Sequence, residues 1–336
     1  MSLRIPISPP IIAAISANKD RPLFSVMIPA YNCINYIEMA LKSVLIQDMG
    51  PDLMQIEVVD DCSTDGDVAA LVETIGGGRV GYYRQPTNVG SLRNFETCLN
   101  RSRGSLVHLL HGDDYVDPGF YTEIKMLFEK FPEIGAAFAE YRYVDESGTT
   151  LWNRELIAST PGILDKWLYQ IAQSSMTQVV AMVVKRSVYE HLGGFYGVHY
   201  GEDWEMWTRI AASYPVAYSP EILANYRVHT KNITGESLLS GQAIKDIYKV
   251  IDVIQNYLPD SERKRIKRNS KKNYSEYYAQ VAHKLYHDYQ NPSAGVKLAT
   301  DALKMYPSKK TVSSAFKIYF KYLIGYKNDN SAAGGQ

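Results

Sequence analysis

The run Leu23-Phe24-Ser25-Val26-Met27-Ile28 is apolar and rich in strand formers, and it leads straight into the breaker sequence Pro29-Ala30-Tyr31-Asn32. Beyond it, Ile34 to Leu45 carries apolar residues at Ile37, Leu41, Val44 and Leu45, the spacing of one helix face. Strand, loop and helix follow one another, and the cycle repeats. Strands are predicted at Met54 to Val59, Val80 to Arg84 and Leu106 to Leu110, with helices from Val68 to Ile75 and from Leu92 to Leu99 between them. Such alternation implies an α/β fold, a mainly parallel sheet with helices on both faces.

After residue 115 the order changes. A helix at Pro118 to Phe131, a strand at Ala136 to Tyr143 and a turn at Asp145-Glu146-Ser147-Gly148 come first. A strand at Val179 to Val184, a short helix ending in Gly193-Gly194, a helix over Asp203 to Ala212 and a strand at Ile222 to Val228 follow. From about Ser240 the pattern is helical, punctuated by Pro259, Pro292 and Pro307.

With 336 residues the chain exceeds the usual single core, so a domain of roughly 230 to 260 residues with an appendage is expected. The pattern divides it into an N-terminal arm (1–22), a main domain (23–235), a basic helical extension (240–327) and a disordered tail (328–336). Apolar residues make up 46% and charged residues 21%, enough for a sizeable core and too apolar for a disordered chain. The three cysteines, Cys33, Cys62 and Cys98, are scattered and odd in number, which argues against a disulfide framework and fits a reducing compartment. No apolar stretch approaches the roughly 20 residues that cross a bilayer. The arm has prolines before its apolar run and no convincing cleavage pattern, so it is not read as a signal peptide. A cytoplasmic protein is expected. The zero net charge hides an asymmetry: Pro259 to Lys327 holds 15 Lys or Arg against 5 Asp or Glu.

In an open α/β sheet ligands sit beyond the carboxyl ends of the strands, so the loops after them carry the chemistry. One such loop, His111-Gly112-Asp113-Asp114, ends in adjacent carboxylates that repel unless a cation or a donor network receives them. Mg²⁺ or Mn²⁺ bridging these oxygens to a diphosphate is one reading. An Asp-rich turn or helix cap ahead of Pro118 is the other. In Asp60-Asp61-Cys62-Ser63-Thr64-Asp65 the last three suit N-capping of the following helix, whereas Asp60 and Asp61 are free to accept from a base or a ribose. Asn88 to Asn94 opens a helix, where backbone amides and Arg93 suit phosphate, or where Arg93 is simply a solvated side chain. Gly76-Gly77-Gly78 lacks the spacing and the lysine of a P-loop. Glu202-Asp203 reads as an acidic first turn favoured by the helix dipole, or as a working pair beside Trp204 and Trp207.

Taken together, Phe24 to Asn32, Val58 to Asp65, Asn88 to Asn94, His111 to Asp114, Gly193-Gly194-Phe195 and Gly201-Glu202-Asp203-Trp204 resemble the inverting glycosyltransferases of family 2, over roughly residues 23 to 232. The resemblance implies a GT-A fold with a Rossmann-like sheet and a nucleotide-sugar donor, with UDP the first expectation. It also implies roles. Pro29, Ala30, Tyr31 and Asn32 line the nucleotide pocket, Asp60 and Asp61 hold the nucleoside, Arg93 approaches the nucleotide, and Asp113 and Asp114 serve ribose and metal. Asp203 is the general base with Glu202 beside it, and Trp204 and Gly194 lie on the sugar and acceptor side. His229, in Tyr226-Arg227-Val228-His229, reaches the metal or the diphosphate, or is a surface histidine. The sequence departs from the family at Cys62, where Gly is common, and at His111, where Asp is common; a structural histidine is the plainer reading of His111.

Inverting transfer is a single displacement, in which Asp203 takes the acceptor proton as the oxygen attacks the anomeric carbon. The acceptor expected is a glycan or lipid-linked hydroxyl in cell-surface polysaccharide or glycolipid synthesis. A sugar-phosphate nucleotidyltransferase would need a glycine-rich basic loop where Pro29-Ala30-Tyr31-Asn32 stands. A silent sugar-nucleotide or glycan binding protein would not need Asp203 with both Asp113 and Asp114. The basic cluster Arg263 to Lys272 and the aromatic helices behind it suggest salt-sensitive contact with an anionic membrane at its inner face. A solvated face, packing or homodimerisation are the alternatives, and no nucleic-acid partner is expected.

Overall fold

The computed structural model describes residues 3–16, 21–229 and 233–326. The chain divides into two compact units, one holding residues up to 171 together with 175–229, the other holding 172–174 and the chain from 230 onward.

The first unit is built on β1 (Phe24–Ala30), α1 (Ile34–Leu45), β2 (Met54–Asp60), α2 (Val68–Gly76), β3 (Gly81–Arg84), α3 (Ser91–Arg101) and β4 (Leu106–Leu109). It continues through β5 (Tyr115–Val116), α4 (Phe120–Lys130), β6 (Ala136–Val144), β7 (Thr150–Asn153), β8 (Gly162–Ile163) and α5 (Trp167–Ile171). It closes with β9 (Met182–Lys185), α6 (Arg186–Leu192), α7 (Glu202–Ser213) and β10 (Val216–Arg227). All these strands lie in one sheet in the order β3-β2-β1-β4-β9-β6-β10-β5, with β7 added to β6 and β8 to β10.

The first half is parallel as the alternation predicts: β1 pairs in parallel with both β2 and β4, and β2 with β3. Every residue of β1 and of β2 is buried, as strands covered on both faces must be. On α1, Ile37, Ala40, Leu41 and Val44 form the buried stripe. The second half departs from parallel order, because β9 runs antiparallel to both β4 and β6. The strand read at 179–184 is also shorter than expected, since Val179–Ala181 form a 3₁₀ turn and pairing starts at Met182. An apolar run does not distinguish a buried 3₁₀ turn from a strand.

A second departure lies in the acidic loop after β2. Asp67 is the N-cap of α2, accepting from the Ala70 amide at 2.9 Å, where Ser63, Thr64 and Asp65 were expected. Those residues turn the other way. Asp65 accepts from the amide of Ile34, the first residue of α1, at 2.9 Å, and Ser63 binds Asp60 and the Asn32 amide.

The second unit is helical: α8 (Ile233–Ser240), α9 (Gln242–Ile254), α10 (Asp260–His287), α11 (Pro292–Met305) and α12 (Lys309–Leu323). Pro292 occupies the first turn of α11, and Asn291 caps it by accepting from the Ala294 amide. Gly295 lets α11 approach α10 closely, since a Cβ there would fall 2.9 Å from the Ala282 carbonyl oxygen. Among the described residues no helix is long and apolar enough to cross a membrane.

Candidate active site

The ends of β1 and β2 are joined by side chains that reach across the two loops. Asn32 sits at φ +48° and Cys62 at φ +64°, both in the left-handed region that lets a strand end fold back sharply. The turn at Cys62 explains why glycine suits that position. Asn32 accepts from the Thr64 amide at 2.8 Å, and its own amide donates to Ser63 Oγ at 3.0 Å. Pro29 and Ala30 are buried backbone supports, their carbonyls accepting from the amides of Gly112 and Asp61. Tyr31 is half exposed at this edge.

Asp60 and Asp61 already have protein partners. Asp60 Oδ1 accepts from the amide and hydroxyl of Ser63, while Oδ2 accepts from Tyr82 at 2.8 Å and pairs with Arg84. Asp61 gathers the next loop, accepting from the amides of Val89 at 2.7 Å and Gly90 at 2.9 Å and from Asn88 Nδ2 at 3.0 Å. Burial raises its carboxyl, and those amides oppose the rise. Arg93 turns to the N-terminal arm, donating to the Leu3 carbonyl at 2.9 Å and pairing with Glu96 at 2.6 Å. The arm also places Arg4 on Asn88 and on Gly90, where a Cβ would lie 3.1 Å from Arg4 Nε.

The acidic loop lies over the end of β1. A Cβ at Gly112 would fall 2.7 Å from Cys33 Sγ, so only glycine allows this approach. One ligand atom from each of His111, Asp113 and Asp114 can be chosen so that all lie within 4.8 Å of one another. The buried Arg227, the last residue of β10, holds the pair: its amide donates to Asp114 Oδ1 and its Nε to the Asp113 carbonyl, both at 2.8 Å. Its Nη1 donates to the carbonyls of Asp145 and Glu146 and its Nη2 to Met39 Sδ at 3.1 Å. His229 Nε2 meets Asp113 Oδ2 at 3.0 Å, and its ring packs 5.0 Å from that of Tyr36.

Electrostatics separate the two carboxylates. Burial acts to raise Asp113, but the His229 hydrogen bond and the pull of both imidazoles outweigh it and hold the carboxyl below its usual range. Asp114 is pushed well above that range by burial and by the neighbouring Asp113 charge. Burial lowers the His111 imidazole, which stacks on Phe95 at 5.2 Å, and its Nε2 has no hydrogen-bond partner among the described residues. Two crowded carboxylates and an orphaned buried nitrogen fit a divalent cation. His111, for which the sequence leaves metal contact open, therefore joins Asp113 and Asp114 as a candidate ligand, while His229 stands against Asp113.

At the other acidic pair, Gly201 adopts φ +86° and starts α7 at Glu202. Asp203 is half-buried; desolvation raises its carboxyl from 3.8 to about 6, with the Trp204 amide opposing. Trp204 is fully buried and donates from Nε1 to the Ile171 carbonyl at 2.6 Å. Its ring has no exposed face for a sugar, because two indoles in this turn, Trp204 and Trp207, fill the core under α7. The loop before α7 is fixed by Arg209, which pairs with Glu205 at 3.0 Å and donates to the Gly194 carbonyl at 2.9 Å. The Gly194 amide donates to the Pro10 carbonyl at 2.8 Å and a Cβ there would meet Pro10 at 3.0 Å, so the arm occupies that glycine.

Residues 25–193, half of the chain, match the family model of Glycosyl transferase family 2. The chain belongs to that family. This family 2 glycosyltransferase is 29% identical over 269 residues to the uncharacterized protein MT1568 of Mycobacterium tuberculosis (strain CDC 1551 / Oshkosh), covering 75% of this chain and 82% of the relative. It is 31% identical over 135 residues to the putative teichuronic acid biosynthesis glycosyltransferase TuaG of Bacillus subtilis (strain 168), 39% of this chain and 51% of that one. Among solved structures, S. aureus TarS 1-349 in complex with UDP-GlcNAc shares the fold, with a TM-score of 0.66 at 16% identity over 90% of this chain and 92% of that one. The transferase's missed residue is Arg227. The sequence signal was present in Tyr226-Arg227-Val228-His229, where an arginine closing a buried strand has to find acceptors.

Proposed function

We propose that this family 2 glycosyltransferase moves a sugar from a nucleoside diphosphate sugar, UDP-linked, to an acceptor hydroxyl with inversion at the anomeric carbon. The observation that carries this is the His111-Asp113-Asp114 cluster at the carboxyl end of the parallel strands, held by Arg227. Asp113, Asp114 and His111 would hold Mg²⁺ or Mn²⁺, which when bound supplies charge neutralisation for a diphosphate. Tyr31 and Asn32 border the nucleotide, and Asp60 and Asp61 shape its pocket through the loops they fix.

Asp203 is the base. Its carboxylate takes the proton of the acceptor hydroxyl as that oxygen bonds to the anomeric carbon, and the bond from that carbon to the diphosphate breaks with its electron pair going to the departing nucleotide. A carboxyl raised to about 6 is a better proton acceptor than an ordinary one and is still ionised near neutral pH. Glu202, buried beside it, is the second carboxylate of the pair.

The acceptor class we favour is a growing cell-surface polysaccharide or a lipid-linked glycan, in keeping with the teichuronic acid assignment of TuaG. Contact with anionic lipid belongs to the same reading, through α12 more than through the basic start of α10. There, Arg263, Arg265 and Lys267 already pair with Asp260, Glu262 and Asp252. On α12, Val312, Phe316, Phe320 and Leu323 are exposed at helical spacing among Lys309, Lys317 and Lys321, with no acidic residue from Ala302 to Tyr326.

A thermal-shift series tests the donor: UDP, GDP and dTDP and their sugars, each with Mn²⁺ or with EDTA. UDP compounds should raise Tm only with the metal. No shift with any nucleotide would remove the transferase reading from this site.

A further inference from the structure

Edge strand β7 is exposed along its whole length, and it carries Trp152 with 46% of its surface open. An exposed indole offers a flat apolar face to a ligand. This one is not loose. It stacks on Tyr143 of β6 with ring centres 4.4 Å apart and planes inclined by 23°. Beside it opens a cavity of about 520 Å³, within the range of small-ligand sites.

The cavity's polar lining is partly fixed in place. Arg154 donates to the Met176 carbonyl, lies 3.5 Å from the buried Glu140 carboxylate and sits over the Tyr141 ring at 4.8 Å. Gln170 donates to the Asp165 carbonyl at 2.9 Å, and Glu155 adds an exposed carboxylate. A flat aromatic face ringed by planar hydrogen-bonding groups suits a sugar ring, whose C–H face stacks while its hydroxyls bond sideways. Neither a basic lining for phosphate nor a dry apolar one for an acyl chain is present among the lining residues.

This cavity is tied to the carboxylate site through two paired strands. Tyr143 is paired in register with Tyr226 across β6 and β10, their rings 5.7 Å apart, and Tyr226 is followed by Arg227, which holds Asp113 and Asp114. Both lie at the same carboxyl end of these parallel strands.

We propose that the Trp152–Tyr143 cavity is a glycan subsite for the acceptor, binding a sugar unit of the chain that is extended. The proposal rests on the transferase reading above, and its test separates the two. Full-length protein and its Trp152→Ala and Trp152→Phe variants would be titrated with tri- to pentasaccharides of glucose, N-acetylglucosamine, galactose and mannose, and separately with UDP in Mn²⁺. We expect at least one oligosaccharide to bind the parent, Trp152→Ala to weaken it about tenfold, which is the scale of one lost stacking contact, and Trp152→Phe to keep most of it. UDP binding should be equal in all three. Oligosaccharide binding that survives in Trp152→Ala, or no binding of any oligosaccharide to a parent that binds UDP, overturns the subsite. Loss of UDP binding by the parent itself would instead overturn the transferase reading.

Discussion

The backbone amide of Arg227 donates to Asp114 Oδ1 at 2.8 Å while its side chain reaches the Asp113 carbonyl, so one residue at the end of β10 holds the Asp114 carboxylate and the Asp113 backbone of a loop more than a hundred positions earlier. Asp114 stays buried next to the Asp113 charge because this donor receives it. The carbonyls of Asp145 and Glu146 accept from the same guanidinium.

Replacing Arg227 with Met keeps the length of the side chain and removes the guanidinium. The variant should lose on the order of 3 kcal/mol of stability, because several buried carbonyls lose their donor together. It should also bind Mn²⁺ more weakly than the parent. Denaturant unfolding and a metal titration check both, and a variant as stable as the parent would show that the carbonyls find other donors.

How far the sequence led can be judged at particular residues. The helix Ile34 to Leu45 was legible because its apolar residues follow one period, and the acidic loop was legible because adjacent carboxylates at a strand end demand an explanation. The antiparallel entry of β9 was not, since pairing direction depends on contacts between residues far apart in the chain. Nor were the partners of Asp60 and Asp61, because a carboxylate's neighbours are set by the fold; core packing, the usual role of a helical tryptophan, is what Trp204 does. At His111 the plainer sequence reading is a structural histidine, and the letters alone leave its contact with a metal open. Its orphaned Nε2 is a property of the packed structure.

A pH series addresses Asp203. With its carboxyl raised to about 6, transfer measured as kcat/KM should rise about tenfold per pH unit below that value and level off above it. Asp203→Asn should lower transfer by about 10²-fold or more with UDP binding little changed. Linkage gives a second readout independent of activity. A carboxyl raised on folding from 3.8 contributes stability that is present below about pH 4 and lost as pH rises through about 6, so Asp203→Asn should gain on the parent across that interval. Equal stability profiles would remove the raised carboxyl, and near-normal transfer by the variant would move the base to Glu202.

The N-terminal arm is held by a buried anchor, Ile12, at 2% exposure, and by hydrogen bonds to the loops at Asn88 to Arg93 and Gly193 to Gly197. Ile12→Ala should cost about 2 to 4 kcal/mol by cavity formation if the arm is integral to the first unit. A change below about 0.5 kcal/mol in chemical denaturation, the size typical of surface substitutions, would make the arm an ornament on it.

For the second unit, the paired substitution Phe316→Ser with Phe320→Ser removes the two exposed phenylalanines of α12 without touching its buried Ala315 and Ile318. The full-length parent should sediment with phosphatidylserine vesicles and be released as salt is raised, and the double variant should stay in the supernatant. Equal sedimentation of the two proteins would take the lipid contact away from α12.

Calorimetric titration of UDP into the full-length protein, with Mn²⁺ and then with EDTA, for the parent and for Asp114→Ala, addresses the nucleotide site itself. The parent should bind UDP with Mn²⁺ and lose at least tenfold in affinity in EDTA, and the variant should bind weakly in both while unfolding at a temperature close to the parent's. UDP binding that is indifferent to the metal, and unchanged when Asp114 is gone, would contradict the assignment of this loop as the metal-dependent diphosphate site of a glycosyltransferase.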